Sequence, residues 1–141
     1  MRTKRIIGAF EKVSFPDFGL LDVVAKIDTG ATSGSLHATH IKEIMLPTGE
    51  KALTFTPYGK RKKMIVNSFE LREVRSSNGS SSLRYFVPTT IIIKGVQYPI
   101  EVSLADRTLM KKAVLVGRHF LRSHGFVVDP NKGTKYRYHV K

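Results

Sequence analysis

Cysteine is absent from the 141 residues. That excludes a disulfide framework, a thiol nucleophile and cysteine-ligated zinc, and it leaves the packed core as the source of stability. No apolar run approaches the roughly 18 residues of a membrane span, and Met1–Phe10 lacks the apolar stretch of a secretory signal. A soluble, cytoplasmic chain without a membrane partner is expected. Histidine is sparse: His37 and His40 are three apart and His119 and His124 five apart, with no third ligand at a matching spacing. There is no His-Glu-x-x-His motif, no Gly-x-x-x-x-Gly-Lys phosphate loop and no nucleophile elbow around Ser33 or Ser35. No metal and no cofactor are expected.

Acidic side chains are also scarce, 11 against 24 Lys and Arg, for a net charge of +13. Residues 1–59 carry 7 basic and 6 acidic residues and residues 60–141 carry 17 and 5, so +12 of the +13 lies in the later part. Such an excess calls for an anionic partner, whether nucleic acid, an acidic peptide or a membrane surface.

The length suits one domain over residues 1–141 with a real core. Apolar content is 41%, β-branched and aromatic residues are prominent, and helical periodicity is rare, so a mostly β class is expected. Arg5–Phe10 reads as a first strand. Phe15-Pro-Asp-Phe-Gly19 is a turn, and Glu43–Leu46 and Lys51–Thr56 flank Pro47-Thr48-Gly49-Glu50 as a hairpin that could serve as a flap or as a plain meander turn. A basic turn, Tyr58–Lys63, leads into Met64–Val66 and then Phe69–Val74. The polar stretch 75–84 reads as a mobile loop. Tyr85–Ile93 and Val96–Leu104 form a hairpin about Lys94-Gly95, and Asp106–Lys112 reads as a short helical turn. Ala113–Gly117 is a continuous apolar strand, Phe120 and Leu121 anchor one short helix capped by Gly125, and Phe126–Asp129 is a last strand.

The stretch that stands out is Ala25-Lys26-Ile27-Asp28-Thr29-Gly30-Ala31-Thr32-Ser33. Leu21, Val23, Ala25 and Ile27 alternate with Asp22, Val24, Lys26 and Asp28, the pattern of a half-buried strand that ends on a carboxylate. Gly30, free to adopt backbone angles closed to other residues, would turn Asp28 toward open space, and Thr29 adds a hydroxyl beside it. Asp-Thr-Gly is the signature of aspartic proteases. Two such carboxylates about 3 Å apart cannot both ionise; one acts as base on water while the other protonates the substrate carbonyl. No second Asp-Thr-Gly occurs, and Asp17, Asp22, Asp106 and Asp129 lack its sequel. A dyad would form between two chains across a two-fold axis. An Asp-Gly turn in an ordinary hairpin is the plain alternative.

An apolar strand into Asp28-Thr29-Gly30-Ala31, then Val114-Leu115-Val116-Gly117-Arg118 and a short helix, resembles a retropepsin. More closely, Lys26–Ala38, Ile7-Gly8, Arg75-Ser76-Ser77, Asp106-Arg107, Leu115–Arg118 and Val128-Asp129-Pro130 are similar to a bacterial family known as ATP-dependent zinc proteases. The resemblance implies a retropepsin-like closed β-barrel and aspartic endopeptidase activity. In some members it implies a link to the ligase that adds glutamates to a small-subunit ribosomal protein, with the protease trimming poly-glutamate. Asp28 would be the catalytic carboxylate, Thr29 the bracing hydroxyl, Gly30 the turn and Gly117 the close backbone crossing. Retropepsins usually place Asn or Asp after Gly-Arg, where His119 stands here.

A poly-glutamate strand needs closely spaced cations, and Arg forks grip carboxylates. Arg61, Lys62, Arg72, Arg75, Arg84, Arg107 and Arg118 are the candidates. The expectation is a homodimeric aspartic endopeptidase acting on acidic or glutamate-rich peptides. The rival is a non-enzymatic basic β-barrel that binds RNA, the ribosome or acidic protein tails.

Overall fold

The computed structural model describes residues 5–75, 78–106 and 112–137. In chain order the strands are β1 (Arg5–Gly8), β2 (Phe10–Phe15), β3 (Leu20–Ile27), β4 (Gly34–Met45), β5 (Lys51–Pro57), β6 (Met64–Val66), β7 (Glu70–Arg75), β8 (Ser81–Ile93), β9 (Val96–Ala105), β10 (Val114–Val116) and β11 (Phe126–Asp129). One α-helix, α1 (Arg118–Ser123), lies near the C-terminal end, with 3-10 turns at Pro16–Phe18 and Thr134–Tyr136. The structure is mostly β with one short helix, as the composition suggests. Asp106–Lys112, read from sequence as a helical turn, lies mainly outside the described residues.

Nine strands share one sheet, along the path β10-β3-β2-β8-β9-β4-β5-β6, with β7 on β8. β10 runs parallel to β3 on one side and antiparallel to β4 on the other, so the path through six of these strands returns to its start. β1 and β11 form a separate parallel pair. Phe15, Phe55, Leu36, Leu53, Ile91, Ile93 and Val114 are among the fully buried side chains that fill the interior.

Local chemistry explains the turns. Lys94 and Gly95 both have positive φ, 51° and 75°, the two-residue hairpin geometry whose twist matches that of the strands it joins. The β4–β5 hairpin falls where the sequence puts it, and the first strand divides in two about Ala9.

Alternation along β3 fails at one point. Val23, Ala25 and Ile27 are buried, but Leu21 is 74% exposed and Leu20 takes the inward place. The register of β2 on β3 shifts between Val13 and Phe15, Asp22 has φ 50°, and its N–H donates to Ser14 Oγ at 2.9 Å. An irregularity of this kind rotates the residues before it onto the other face. Val24 is buried too, although Lys26, two residues further on, is exposed.

Phe55 is fully buried and stacks edge-on against Phe18, with ring centroids 5.6 Å apart. Replacing it with Ala should cost about 3–5 kcal/mol, read as a lower urea midpoint at unchanged slope.

Candidate active site

Asp28 stands one residue past β3, half-buried, with Thr29 and Gly30 exposed beside it. Its N–H donates to Val116 O at 2.9 Å, which continues the β3–β10 ladder by one rung, and its Oδ1 accepts from the Gly30 N–H at 2.9 Å. The Ala31 N–H closes the bend on Asp28 O at 3.3 Å. Gly30 does not have the positive φ expected of it. Its constraint is closeness: a Cβ there would lie 3.3 Å from Asp28 Oδ1, so a bare α-carbon leaves the carboxylate undisturbed.

The bend is held from below by β10 and the start of α1. Arg118 N–H donates to Ala31 O at 2.7 Å and His119 N–H to Thr32 O at 3.0 Å. The Arg118 guanidinium reaches Thr29 O and Thr32 Oγ1, both at 3.3 Å. The helix is therefore fastened to the bend through backbone and through the Arg118 side chain, and no hydrogen bond of the described residues runs from the His119 side chain to the bend. Two glycines make the crossing possible. A Cβ on Gly117 would sit 2.5 Å from the Ser33 carbonyl carbon, and one on Gly34 would sit 2.7 Å from Leu115 O. Ser103 Oγ donates to Gly34 O at 3.0 Å from within the core.

Above the bend lies the hairpin of β7 and β8. The register places Glu70, Arg72 and Val74 opposite Phe86, Arg84 and Ser82. Continuing across β9, Phe86 and Pro88 pair with Ser103 and Glu101. Paired residues share a face, so Arg72, Val74, Ser82, Arg84, Phe86, Glu101 and Ser103 all look the same way. A cleft of about 580 Å³ opens there, lined by Asp28 and Gly30–Ser33 on one wall and by Val74, Arg75, Arg84 and Phe86 on the other. The hairpin facing Asp28 takes up most of the stretch 75–84 that reads from sequence as a loop: Arg75 belongs to β7 and residues 81–84 to β8, because they pair across the two strands. The β4–β5 turn at Pro47–Glu50 lines neither this cleft nor the second one described below.

The arginines divide by their partners. Arg75 and Arg84 line the Asp28 cleft and meet no carboxylate among the described residues. Arg72 is engaged: its Nε lies 3.0 Å from Glu70 Oε1, and its Nη2 reaches Glu101 Oε1. Its guanidinium also lies 4.2 Å over the Phe86 ring. The hydrogen bond that Arg72 donates to Glu101 raises the Arg72 pKa above its ordinary value, with Glu70 adding to it. Arg72 lines a second cleft of about 510 Å³, shared with Thr32, Ser33, Pro88, Glu101, His119 and His124. Arg118 braces the bend, Arg61 and Lys62 sit exposed in the turn between β5 and β6, and Arg107 lies outside the described residues. Sequence reasoning missed Glu101, Phe86 and Ser103; the alternation of β8 and β9 carried the signal, once their register is known.

Among the described residues no group of three or more His, Asp or Glu is placed to hold a metal. His37 lies 3.7 Å from Asp106 and packs edge-on against Tyr58. Among the same residues no helix is long and apolar enough to cross a membrane.

A strand that delivers Asp-Thr-Gly, crossed by a Val-Gly-Arg strand that turns into a helix, is the arrangement of a retropepsin-like domain. The chain belongs to the RimB-like family, described as retropepsin-like aspartic endopeptidase RimB, whose model matches residues 6–136. It is 32% identical over 135 residues to a protein of Shewanella pealeana named "Probable alpha-L-glutamate ligase", and 29% identical over 133 residues to one of the same name in Desulfotalea psychrophila. These matches cover 92% and 90% of this chain but only 29% and 28% of the relatives, so the chain spans less than a third of their length. A crystal structure of a Legionella pneumophila protein of unknown function aligns with TM-score 0.72 and 29% identity, over 91% of this chain and 95% of that one.

Gly117→Ala should force the bend and β10 apart. Overpacking of this kind costs about 1–3 kcal/mol, to be read by thermal melting.

Proposed function

We propose that the chain is an aspartic endopeptidase that cleaves acidic, glutamate-rich peptides. Asp28 is its catalytic carboxylate, and a second copy of the chain supplies the other half of the dyad. The observation that carries this reading is a half-buried carboxylate on one wall of a cleft whose opposite wall includes Arg75 and Arg84, neither of which meets a carboxylate among the described residues. A guanidinium so placed offers a two-pronged grip to a substrate carboxylate. The family description supports the protease chemistry, and the relatives' name, which speaks of glutamate ligation, supports glutamate-rich chains as the substrate class. The return of the strand path through β10 supports reading the sheet as a closed barrel.

In the dimer the two Asp28 side chains share one proton. The charged partner takes a proton from water as that water attacks the scissile carbonyl, and the protonated partner gives its proton to the carbonyl oxygen. Collapse of the tetrahedral intermediate returns a proton to the leaving amine. Gly30 N–H holds one oxygen of Asp28 in position, which leaves the other for the reaction, and the Thr29 carbonyl accepts from the Arg118 guanidinium.

Asp28→Asn keeps the shape and removes the base; cleavage of a poly-glutamate peptide should fall by about a hundredfold or more, and cleavage at the parent rate overturns the assignment. Arg84→Met should raise KM for the same peptide and leave kcat nearly unchanged. Activity should fall on dilution as sedimentation reports monomer, and full activity in a persistent monomer speaks against a shared dyad.

Lys60, Arg61, Lys62 and Lys63 are exposed on one turn and line neither cleft, which favours a second reading as a nucleic-acid-binding module. RNA affinity that falls steeply with salt, without peptide cleavage by the parent protein, would select it.

A further inference from the structure

Arg72 and Arg84 stand directly opposite each other on β7 and β8. Like charges in that relation repel, and among the described residues only Arg72 meets a carboxylate. Glu101 arrives on the same face from β9, two residues from the Ser103 that pairs Phe86, and binds the Arg72 guanidinium. This ion pair is not sealed in the core: the side chains are 36% and 43% exposed, and both line the 510 Å³ cleft. That cleft meets the Asp28 cleft along Thr32 and Ser33, which line both. The Phe86 ring, under the Arg72 guanidinium, lines the Asp28 cleft. The two cavities are therefore neighbouring compartments of one groove, each with an arginine on the hairpin wall.

We propose that the second cleft is a distal subsite for an acidic side chain and that Glu101 occupies it in the free protein. Glu101 holds Arg72 as a substrate carboxylate would, and a peptide long enough to extend beyond the Asp28 cleft displaces it. The proposal rests on the reading of the substrate as an acidic peptide and adds a second point of recognition, with Glu101 as its internal competitor. A short peptide seated at Arg84 gains nothing from the subsite. A longer one must break the Arg72–Glu101 pair before it gains Arg72, so Glu101 sets a threshold on length. Because the pair is exposed, exchanging one carboxylate for another is inexpensive, and each contributes on the scale of a surface ion pair.

The test measures binding of triglutamate and decaglutamate to the full chain carrying Asp28→Asn, at low ionic strength, by calorimetry. Extended, ten residues reach about 33 Å, enough to continue past the first cleft. Adding Glu101→Gln should tighten decaglutamate by about fivefold, the worth of one exposed ion pair, and leave triglutamate unchanged. Adding Arg72→Gln instead should weaken decaglutamate and spare triglutamate, and the Arg72→Gln, Glu101→Gln pair should lose the gain. The proposal is overturned, with the acidic-peptide reading intact, if both peptides bind but Glu101→Gln leaves decaglutamate unchanged, weakens it, or tightens both peptides alike. It is equally overturned if the gain survives loss of Arg72. If neither peptide binds any variant, the proposal and the reading of the substrate fall together.

Discussion

The arrangement depends on one close crossing, where β10 threads between β3 and β4 at backbone-to-backbone distance. Gly34 and Gly117 face each other's chains there, and a single methyl on either would overlap a peptide group. What the crossing gives is a set of hydrogen bonds that no side chain has to supply. Asp28 N–H is bound to Val116 O and His37 N–H to Ala113 O. The carbonyls of Ala31 and Thr32 accept from the first two N–H groups of α1. The bend that carries Asp28 is thereby held on both sides although Thr29 and Gly30 are exposed. A carboxylate can be kept in one posture at a surface only when the chain beneath it has no freedom to drift.

Charge on the hairpin follows a similar economy. Strand alternation puts Arg72 and Arg84 on one face whether or not the chain gains by it, and two facing guanidinium groups would push β7 and β8 apart. Glu70 and Glu101 absorb one of the two charges, and Phe86 supports its flat side. The remaining charge, on Arg84, stays available to the cleft. The hairpin is also tied to the body by Tyr85, whose hydroxyl donates to Glu43 at 2.6 Å; that bond raises the Tyr85 pKa and keeps it protonated to higher pH.

Much of this was legible before any coordinates. The Asp28 bend, the Val114–Val116 strand, the Lys94-Gly95 turn and the Phe120–Leu121 anchor each rest on short-range rules: period-2 alternation, glycine at positive φ, apolar pairs on a helix. What was not legible depends on register. Nothing local says that Arg72 will face Glu101, since they meet only once β7, β8 and β9 are aligned. The outward turn of Leu21 depends on an irregularity specified by Ser14 on the neighbouring strand. Gly30 reads in the sequence as a residue for an unusual backbone angle and instead provides space. Glycine appears in the sequence the same way in either role, and only the atoms around it tell them apart.

The parallel pair of β1 and β11 has a bearing on how the molecule comes into being. Arg5 lies beside Phe126 and Gly8 beside Asp129, so β1 cannot meet this partner until the chain has been made through Asp129. Through that interval its Ile6 and Ile7 are apolar groups on an unsatisfied edge, and such edges invite pairing with the wrong chain. Long-range closure of this sort is slow compared with hairpin formation. The strands between β1 and β11 should therefore assemble first, and the β1–β11 pair should close last.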